Sequence, residues 1–349
     1  MKKASLLIVF VTILALFVSA CNILTDNMTQ TSETEQSGFI VYYIDVGQAD
    51  SALIVCDGKT MLIDGGNVAD SDLIYAFLRS HDISRLDYII ASHAHEDHVG
   101  GLAGALNYAA VSVAYCPVTD YDSRAFSNFV KYLGEQNVSI TVPTVGDTFR
   151  LGSADVIILG PVYPSNEPNN TSIVLKITYG ATSFLFTGDA ERPAEQNILD
   201  AGYDLSTTVL KIGHHGSDTS TTYPFLREIM PQYAVISCGN NNPYGHPDEN
   251  TLSRLRDADV AVYRTDIQGT ITCTSDGDAV SFITERNAES QTNPTEQDME
   301  ENFYIGNLNT RKFHRPSCSG LPIEKNRITL NTREEALHEG YSPCGICLP

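Results

Sequence analysis

Runs of apolar residues alternate with polar or glycine-rich turns from residue 39 onward. Residues 39–55 contain two strand-like runs joined by a turn rich in Gly and Asp, and residues 60–63 form a third run that ends at Gly65 and Gly66. Residues 71–80 instead repeat apolar side chains at helical spacing. One side of this predicted helix carries Leu73, Ile74, Phe77 and Leu78.

The alternation of strands and helices continues along the chain. Residues 86–92 are predicted to be a buried strand, and a helix of small residues is predicted to open at residues 99–102. Further strands are predicted at residues 183–186, 209–212 and 233–237. Because strands precede and separate the helices, the pattern predicts an α/β fold with a mixed sheet covered by helices.

The start of the chain differs from this pattern. Met1-Lys2-Lys3 is a basic start, and the apolar run over residues 4–20 is typical of a secretory signal. Small residues directly before Cys21 resemble the lipobox of bacterial lipoproteins, in which that cysteine is acylated and becomes the N-terminus. The alternative is a retained transmembrane anchor. Both interpretations place the rest of the chain outside the cytoplasmic membrane, held there by the lipid on Cys21 in the first case.

Two polar segments divide the remainder. Residues 22–38 and 287–302 are polar, with too little apolar content to build a core, so we predict two linkers. The predicted domains are therefore a signal peptide at residues 1–21, a large α/β domain at residues 39–286 and a tail at residues 303–349.

The charge is strongly negative and unevenly distributed. The whole chain has a formal net charge of −21. The tail has six Lys and Arg against four Glu, a net charge of +2, so the remainder carries −23. A protein that binds polyanions usually has a basic surface, and this charge therefore counts against a tight, general nucleic-acid binder.

The densest chemical signal is the run His93-Ala94-His95-Glu96-Asp97-His98, which packs four metal-binding side chains into six residues. Imidazole and carboxylate are ligands that zinc, manganese and iron share, and this spacing can aim alternate side chains at two adjacent ions. The run predicts a dinuclear metal site at the end of a strand. The alternative is a histidine-rich surface loop with incidental metal affinity.

The order of motifs resembles that of metallo-β-lactamase superfamily hydrolases, and in particular the hydrolase domains of ComEC competence proteins and their stand-alone homologues. The motifs are residues 43–51 (YIDVGQADS), 62–66 (LIDGG), 93–101 (HAHEDHVGG), 169–172 (NNTS), 186–189 (FTGD), 211–217 (KIGHHGS) and 244–247 (YGHP). The resemblance implies an αββα sandwich.

The resemblance also implies ligand roles. His93 and His95 resemble ligands of the first metal, Asp97 and His98 resemble ligands of the second, and Asp189 is expected to bridge the two ions. An Asp at a turn or helix N-cap is the alternative for Asp189.

The identity of one further ligand of the second metal remains open between His214 and His215. Alignment on Gly-His-Gly favours His215, whereas alignment on Ile-Gly-His favours His214. The histidine that is not a ligand is expected to face the substrate phosphate.

The third histidine that many superfamily members use at the first metal is missing, because no His lies between His98 and His214. The ComEC-like pattern has an Asn-rich stretch there, which points to Asn170 as a candidate ligand. An amide oxygen is a weaker and harder ligand than imidazole, so a loosely held first ion, or one that favours manganese over zinc, is expected.

The mechanism that the resemblance implies is metal-assisted hydrolysis with two divalent ions, zinc or manganese. Asp97 and His214 are candidate catalytic residues beside the ions, and His246 is a candidate acid or phosphate contact. A capped loop histidine is the alternative for His246. Second-sphere or turn roles are expected for Asp45, Asp50 and Asp64.

The tail contains a second candidate metal site. His314, Cys318, Cys344 and Cys347 form an H-x3-C plus C-x2-C set, the four ligands that a closed tetrahedral zinc site needs. The tail resembles the small metal-binding domain of Ada-type DNA repair proteins, with His314 where a Cys stands in that family, which puts methyl-acceptor chemistry in doubt. A disulfide between two of these cysteines is the alternative. The other cysteines after residue 21 are interpreted as buried apolar residues: Cys56, Cys116, Cys238 and Cys273.

The combined expectation is an exported, lipid-anchored phosphodiester hydrolase, a DNase for which no protein partner is predicted. One alternative is a phosphodiesterase for small or cell-wall phosphate esters, such as phosphocholine on teichoic acids. Another is a lipoprotein that binds DNA for uptake without cutting it.

Overall fold

The computed structural model of this protein describes residues 38–290, 292, 303–316 and 318–347. The predicted signal peptide, the predicted lipidation site Cys21 and most of the two predicted linkers lie outside these ranges. Within the ranges, no helix combines the length and the apolar character that crossing a membrane requires.

Nineteen strands lie in the described ranges. They are β1 Phe39–Tyr43, β2 Ala52–Cys56, β3 Lys59–Ile63, β4 Arg85–Ile90, β5 Ala110–Tyr115, β6 Ile140–Thr141, β7 Thr148–Leu151, β8 Ala154–Gly160, β9 Val174–Tyr179, β10 Thr182–Phe186, β11 Val209–Lys211, β12 Tyr233–Ile236, β13 Ala261–Arg264, β14 Ile271–Ser275, β15 Val280–Thr284, β16 Tyr304–Asn307, β17 Lys312–His314, β18 Arg327–Leu330 and β19 Ser342–Pro343.

Nine α-helices lie in the same ranges. They are α1 Ser71–Ser80, α2 Glu96–Val99, α3 Leu102–Tyr108, α4 Arg124–Glu135, α5 Arg192–Ala201, α6 Tyr223–Ile229, α7 Glu249–Asp257, α8 Thr265–Gln268 and α9 Arg333–His338. Short 3-10 segments lie at Val68–Asp70, Pro168–Thr171, Gly213–Gly216 and Glu324–Asn326.

The strands form two large sheets and one small sheet. Sheet A has the order β15-β14-β1-β2-β3-β4-β5-β6, sheet B has the order β13-β12-β11-β10-β9-β8-β7, and sheet C in the tail has the order β18-β16-β17-β19. Strands β3, β4 and β5 are parallel neighbours in sheet A. Strands β10, β11 and β12 are parallel neighbours in sheet B. Both sheets are mixed, as the pattern predicts.

The sheets are buried on both faces, which explains why their strands read as continuous apolar runs. In β1, Phe39 and Val41 point between the sheets, where they join Phe184 of sheet B in one cluster. The alternate residues Ile40 and Tyr42 pack on the opposite face of sheet A, against the helix-side cluster. The period of two along a strand thus supplies both cores from one segment.

Helices cover the two outer faces. Ile74 of α1 and Phe126 of α4 pack on sheet A. Ile198 of α5, Phe225 of α6 and Leu255 of α7 pack on sheet B. The order helix, sheet, sheet, helix confirms the predicted αββα fold class.

Two local predictions differ from the structure. Leu73 is 39% exposed instead of lying on the buried side of α1. The helix predicted to open at residues 99–102 is two helices, because Glu96–Val99 of the metal loop already forms a turn and α3 begins at Leu102. Gly101 separates them, and a Cβ there would lie 1.9 Å from the oxygen of Gly65, so the close approach of these two loops requires glycine.

The tail has its own small core. Phe313, Leu330, Ala336 and Tyr341 form a buried cluster under sheet C and α9. The tail also contacts the larger domain, since the Arg315 guanidinium lies 3.0 Å from the Asp257 carboxylate at the end of α7.

Candidate metal centre

Three loops bring the predicted ligands together, and each loop follows a strand. The run from His93 to His98 follows β4, Asp189 follows β10, and His214 with His215 follows β11. Strands β10 and β11 are parallel neighbours, so their carboxyl ends lie side by side. Ligand sites in α/β sheets typically form at the carboxyl ends of strands.

Four side chains form the second ligand group, which we define as Asp97, His98, Asp189 and His215. Each offers a ligand atom, and these atoms all lie within 4.8 Å of one another. Asp97 Oδ2 lies 3.3 Å from His215 Nε2, and Asp189 Oδ1 lies 3.4 Å from His98 Nε2. His98, Asp189 and His215 are buried, whereas Asp97 is partly exposed. Two imidazoles and two carboxylates therefore surround one space.

His93 and His95 form the first ligand group beside it. His93 Nε2 lies 3.0 Å from His95 Nδ1 and 3.9 Å from Asp189 Oδ2. Asp189 thus directs Oδ1 to His98 and Oδ2 to His93, so one carboxylate contacts both groups. This is the position that the bridging prediction gave to Asp189.

The open choice between the two adjacent histidines has a geometric answer. His215 is buried in the second ligand group. His214 turns the other way, because both residues have left-handed backbone with φ of 49° and 54°. The His214 side chain is 23% exposed, with Nε2 at 3.6 Å from Asp189 Oδ2 and Nδ1 at 3.5 Å from Glu191 Oε1. His214 therefore lies at the Asp189 oxygen that also faces His93.

Asn170, the predicted amide ligand, is buried but engaged with Glu191. Asn170 Oδ1 accepts a hydrogen bond from the Glu191 backbone N–H at 3.2 Å, and Asn170 Nδ2 donates to Glu191 Oε2 at 3.4 Å. Glu191 in turn faces His214. The structure thus places Asn170 behind Glu191, a residue that the sequence analysis did not select; its place two residues after Asp189 was the available signal.

His246 lies beside the histidine pair and outside both ligand groups. Its ring centroid lies 5.7 Å from that of His214 and 6.5 Å from that of His215. His246 Nδ1 lies 3.3 Å from Gln48 Nε2. Burial and the neighbouring His215 and His214 lower the pKa of His246, so it is largely neutral near pH 7.

Buried carboxylates support the ligands from behind. Asp64 Oδ2 lies 2.9 Å from His98 Nδ1, and Asp64 Oδ1 accepts the Ser92 backbone N–H at 2.7 Å. His215 Nδ1 lies 3.1 Å from the Ser237 carbonyl oxygen, its hydrogen-bond acceptor, and 3.5 Å from Asp50 Oδ1. Hydrogen-bonded carboxylates of this kind fix the ring orientation of a metal-binding histidine.

One further polar residue, Lys211, completes this support. Lys211 Nζ lies 2.8 Å from Asp50, and both side chains are 5% exposed. Lys211 was not selected from the sequence, because a Lys inside the apolar strand β11 has no sequence signal that distinguishes it from a surface residue. Asp45, by contrast, is paired with Arg286 at 2.8 Å and lies away from the ligands.

The electrostatics of the second ligand group fit a cation. Burial opposes the charged form of Asp189, but His98 and His215 outweigh it and hold the pKa of Asp189 well below its usual range. Burial likewise opposes protonation of His215, but Asp189 and Asp50 outweigh it and raise the pKa of His215 to about 10. The paired carboxylates therefore favour positive charge in this space.

The donor set also fits divalent metal ions. It consists of imidazole nitrogens and carboxylate oxygens. His98 Nε2 and Asp189 Oδ1 are buried without a hydrogen-bond partner among the described residues, which is costly unless a ligand satisfies them. We therefore identify a candidate dimetal site of the His/Asp type.

The tail contains a separate Cys3His cluster. His314, Cys318, Cys344 and Cys347 are all buried, with ligand atoms within 4.8 Å of one another. The seven described cysteines are free, so no disulfide joins the three in this cluster, and the four in the larger domain are buried.

Each sulfur of the cluster accepts a backbone N–H. Arg315 donates to Cys347 Sγ at 3.4 Å, Gly320 to Cys318 Sγ at 3.3 Å and Ile346 to Cys344 Sγ at 3.3 Å. His314 Nε2 is buried without a hydrogen-bond partner. Three stabilised sulfurs and one imidazole fit a closed metal site.

Comparisons with known proteins agree with both sites. Residues 289–349 match the family model described as the metal binding domain of Ada. The chain is 30% identical over 247 residues to ComE operon protein 3 of Bacillus subtilis (strain 168), covering 65% of this chain and 32% of that protein. It is 30% identical over 230 residues to competence protein ComA of Neisseria gonorrhoeae, covering 65% of this chain and 31% of that protein.

The chain thus spans about a third of the length of these curated relatives. A solved structure, the metallo-beta-lactamase fold protein YhfI from Bacillus subtilis, matches with a TM-score of 0.46 and 13% identity, covering 70% of this chain and 100% of that chain. Residues 44–240, more than half of the chain, match the family model described as metallo-beta-lactamase superfamily. The chain belongs to the metallo-beta-lactamase superfamily, and it carries an Ada-like metal-binding domain at its C-terminal end.

Proposed function

We propose that this protein is a metal-dependent phosphodiester hydrolase that cleaves DNA outside the cytoplasmic membrane. The observation that carries the proposal is the position of Asp189, whose carboxylate contacts His98 of one ligand group and His93 of the other. A carboxylate shared between two sets of ligands is what a dinuclear hydrolytic site needs.

His93, His95 and His214 would hold the first ion, with Asp189 shared. The second ion would be held by Asp97, His98 and His215 with the same carboxylate. Two divalent ions supply a Lewis acid and lower the pKa of a bound water. Zinc and manganese both accept this donor set.

The protein's own groups have distinct tasks in this proposal. Asp64 and Asp50 hold His98 and His215 in place, so the ligands are oriented before substrate arrives. His246 is half-buried beside His214 and is free of both ligand groups, so it can contact a phosphate oxygen or the leaving group.

DNA is proposed as the substrate because relatives of this chain are named as competence proteins, and because an Ada-like domain accompanies the hydrolase domain. The export signal and Cys21 lipobox of the sequence support an anchor on the outer face of the membrane. No protein partner is proposed.

The test uses the detergent-solubilised full chain, stripped of metal and then supplied with Mn²⁺ or Zn²⁺, on single-stranded and double-stranded DNA. Asp189→Asn is expected to reduce cleavage by about a thousandfold or more, since it removes the shared ligand and several kcal/mol of transition-state stabilisation. Asp200→Asn, an exposed carboxylate on the next helix, is the matched control and is expected to retain activity.

A second candidate is hydrolysis of small or cell-wall phosphate esters, which the charge of −23 outside the tail favours. Cleavage of bis(p-nitrophenyl) phosphate without cleavage of plasmid DNA would support this candidate over the first. Absence of turnover with any metal and either substrate would leave a DNA-binding role and reject hydrolysis.

A further inference from the structure

An exposed tyrosine lies at the end of a stack of rings that begins in the second ligand group. Tyr244 is 71% exposed. Its ring is stacked on His246, with centroids 5.7 Å apart and planes at 25°. His246 is in turn stacked on the buried ligand His215, with centroids 6.5 Å apart and planes at 27°. Tyr244 therefore presents a flat surface one ring away from the proposed metal centre.

Asn242 makes several of the hydrogen bonds that hold the loop presenting Tyr244 in place. Asn242 Oδ1 accepts the backbone N–H groups of Tyr244 at 3.1 Å and His246 at 3.0 Å. Asn242 Nδ2 donates to the Gly239 carbonyl at 2.9 Å. The loop thus keeps a large aromatic side chain in solvent at a defined place, which lowers the entropy cost of stacking a ligand on it.

A second tyrosine lies beside the first ligand group. The Tyr121 ring contacts His95 with centroids 6.2 Å apart. Tyr121 also packs edge-on against Phe126 of α4, so part of its role is structural. Tyr244 is the better probe, because its exposed ring leaves a face available to a ligand.

Charge does not supply strong affinity for a nucleic-acid backbone in this domain. The chain outside the tail has a net charge of −23. Lys211, a cation close to the second ligand group, is buried against Asp50. Where phosphate contacts are weak, base stacking on aromatic rings is the remaining source of affinity, and it needs unpaired bases.

We infer that Tyr244 is a stacking platform for an unpaired nucleobase beside the scissile phosphate, so that the site selects single-stranded nucleic acid over duplex. The inference rests on the proposed phosphodiesterase function and names its substrate class. Tyr244 is a binding residue in this scheme and holds no metal.

The test measures steady-state cleavage of a thymidine oligomer by the full chain and its variants. Tyr244→Ala is expected to raise KM about tenfold with kcat little changed, because stacking contributes to ground-state and transition-state binding alike. Tyr244→Phe keeps the ring and is expected to stay within about twofold of the parent protein. Tyr244→Leu, which keeps bulk without a ring, should resemble the Ala variant.

An oligomer of the same length with abasic residues is the matched substrate. The difference between the parent and Tyr244→Ala is expected to vanish on it, and the parent's preference for single strands over duplex should shrink in the variant. An equal KM change on both oligomers, or none on either, would overturn the inference.

The two proposals fail in different ways. Cleavage of bis(p-nitrophenyl) phosphate without cleavage of any oligomer overturns the stacking inference and leaves a phosphodiesterase. If no phosphodiester is cleaved, the proposed function fails, and retention of a fluorescent oligomer that Tyr244→Ala weakens and Tyr244→Phe preserves would still support the platform. Equal retention by both variants would overturn it.

Discussion

The two metal clusters of this protein are built in opposite ways. The dimetal site draws its ligands from loops spread between His93 and His215, at the ends of strands that already lie in large apolar cores. The Cys3His cluster takes all its ligands from two short segments, His314 to Cys318 and Cys344 to Cys347. Its domain has only the small core around Phe313. The first site is built by the fold, whereas we expect the tail to need a bound metal for stability.

The groups that hold the ligands in place also differ between the two clusters. Side-chain charges, Asp50 with Lys211 and Asp64 with His98, support the dimetal site. Backbone N–H groups, such as that of Gly320 on Cys318 Sγ, support the tail cluster. Charged side chains behind the ligands can tune the reactivity of a metal site. Hydrogen bonds from the backbone suit a closed metal site with a structural role.

The largest effect is expected on the folding of the tail when metal is removed. A chelator should unfold the tail and leave the larger domain folded, because a structural zinc site contributes about 10 kcal/mol or more to a small domain. Hydrogen exchange of the full chain, followed by mass spectrometry, would locate the loss of protection. If the amides of the tail stay protected after complete metal removal, the tail does not need its metal to fold, and the contrast between the two clusters is wrong.

Matched cysteine variants sharpen this prediction. Cys344→Ser removes a ligand and should unfold the tail even with zinc present. Cys116→Ser changes a buried cysteine of the larger domain that belongs to neither cluster, and it should leave tail protection unchanged.

The second effect concerns the buried charge under the dimetal site. Lys211→Met leaves Asp50 buried without its partner and should cost about 3–5 kcal/mol in the free energy of unfolding of the larger domain. Urea unfolding followed by circular dichroism measures it. Lys312→Met, at an exposed lysine of the tail, is the control and should change stability little. Equal effects of the two substitutions would show that the Asp50 pair is not needed.

The third effect is a pH dependence. Glu195 of α5 accepts hydrogen bonds from the backbone N–H of Thr221 and of Thr222 at the end of the loop that carries His214 and His215. Burial raises the pKa of Glu195 to about 7 from its ordinary 4.5. The folded state then binds the proton more tightly, so this contribution is complete below pH 4.5 and is lost as pH rises to 7.

The expected loss across this window is about 3 kcal/mol. Glu195→Gln cannot ionise, so its urea midpoint should fall less between pH 5 and pH 8 than that of the parent, measured at the same two pH values. Asp200→Asn on the same helix should follow the parent. A Gln variant with the parent's pH dependence would reject the role of Glu195.

The smallest effect concerns the contact between the two regions. Arg315→Ala removes the ion pair with Asp257 and keeps the backbone N–H that Cys347 Sγ accepts. The free energy of unfolding should fall by about 1 kcal/mol or less, because the pair is only partly buried. Asp257→Asn should have the same effect, and a double variant measures the coupling. Weaker metal binding by the tail in Arg315→Ala would show that the tail cluster depends on the contact with the larger domain.

Local patterns predicted much of the fold. The helix at residues 71–80 has the predicted bounds, and the stretch at residues 39–55 contains two strands as predicted, because amphipathic spacing and alternation act over a few residues. Leu73 was misplaced, since a helix pattern does not say how wide its buried face is. The turn at Glu96–Val99 was missed because this polar ligand run has no apolar side chains at helical spacing.

Candidate metal ligands that lie close together in the sequence were equally easy to predict. The run from His93 to His98 and the Cys-x2-Cys of the tail are local, so their metal-binding character follows from spacing alone. Residues that act only as partners were missed, as with Lys211 and Glu191. The role of Lys211 depends on Asp50, which is distant in the sequence. The role of Glu191 depends on His214, whose direction is set by its backbone conformation.

The sequence by itself determined the α/β class, the ligand types and the candidate metal cluster of the tail, because these depend on periodicity and on residues close along the chain. The αββα arrangement was implied by the resemblance of its motifs to those of metallo-β-lactamase superfamily hydrolases. Only the tertiary structure decided that His215 joins Asp97 while His214 faces Glu191. The physical reason is the left-handed backbone of two consecutive residues, which turns His215 toward Asp97 and His214 toward Glu191 while both rings stay near Asp189 Oδ2.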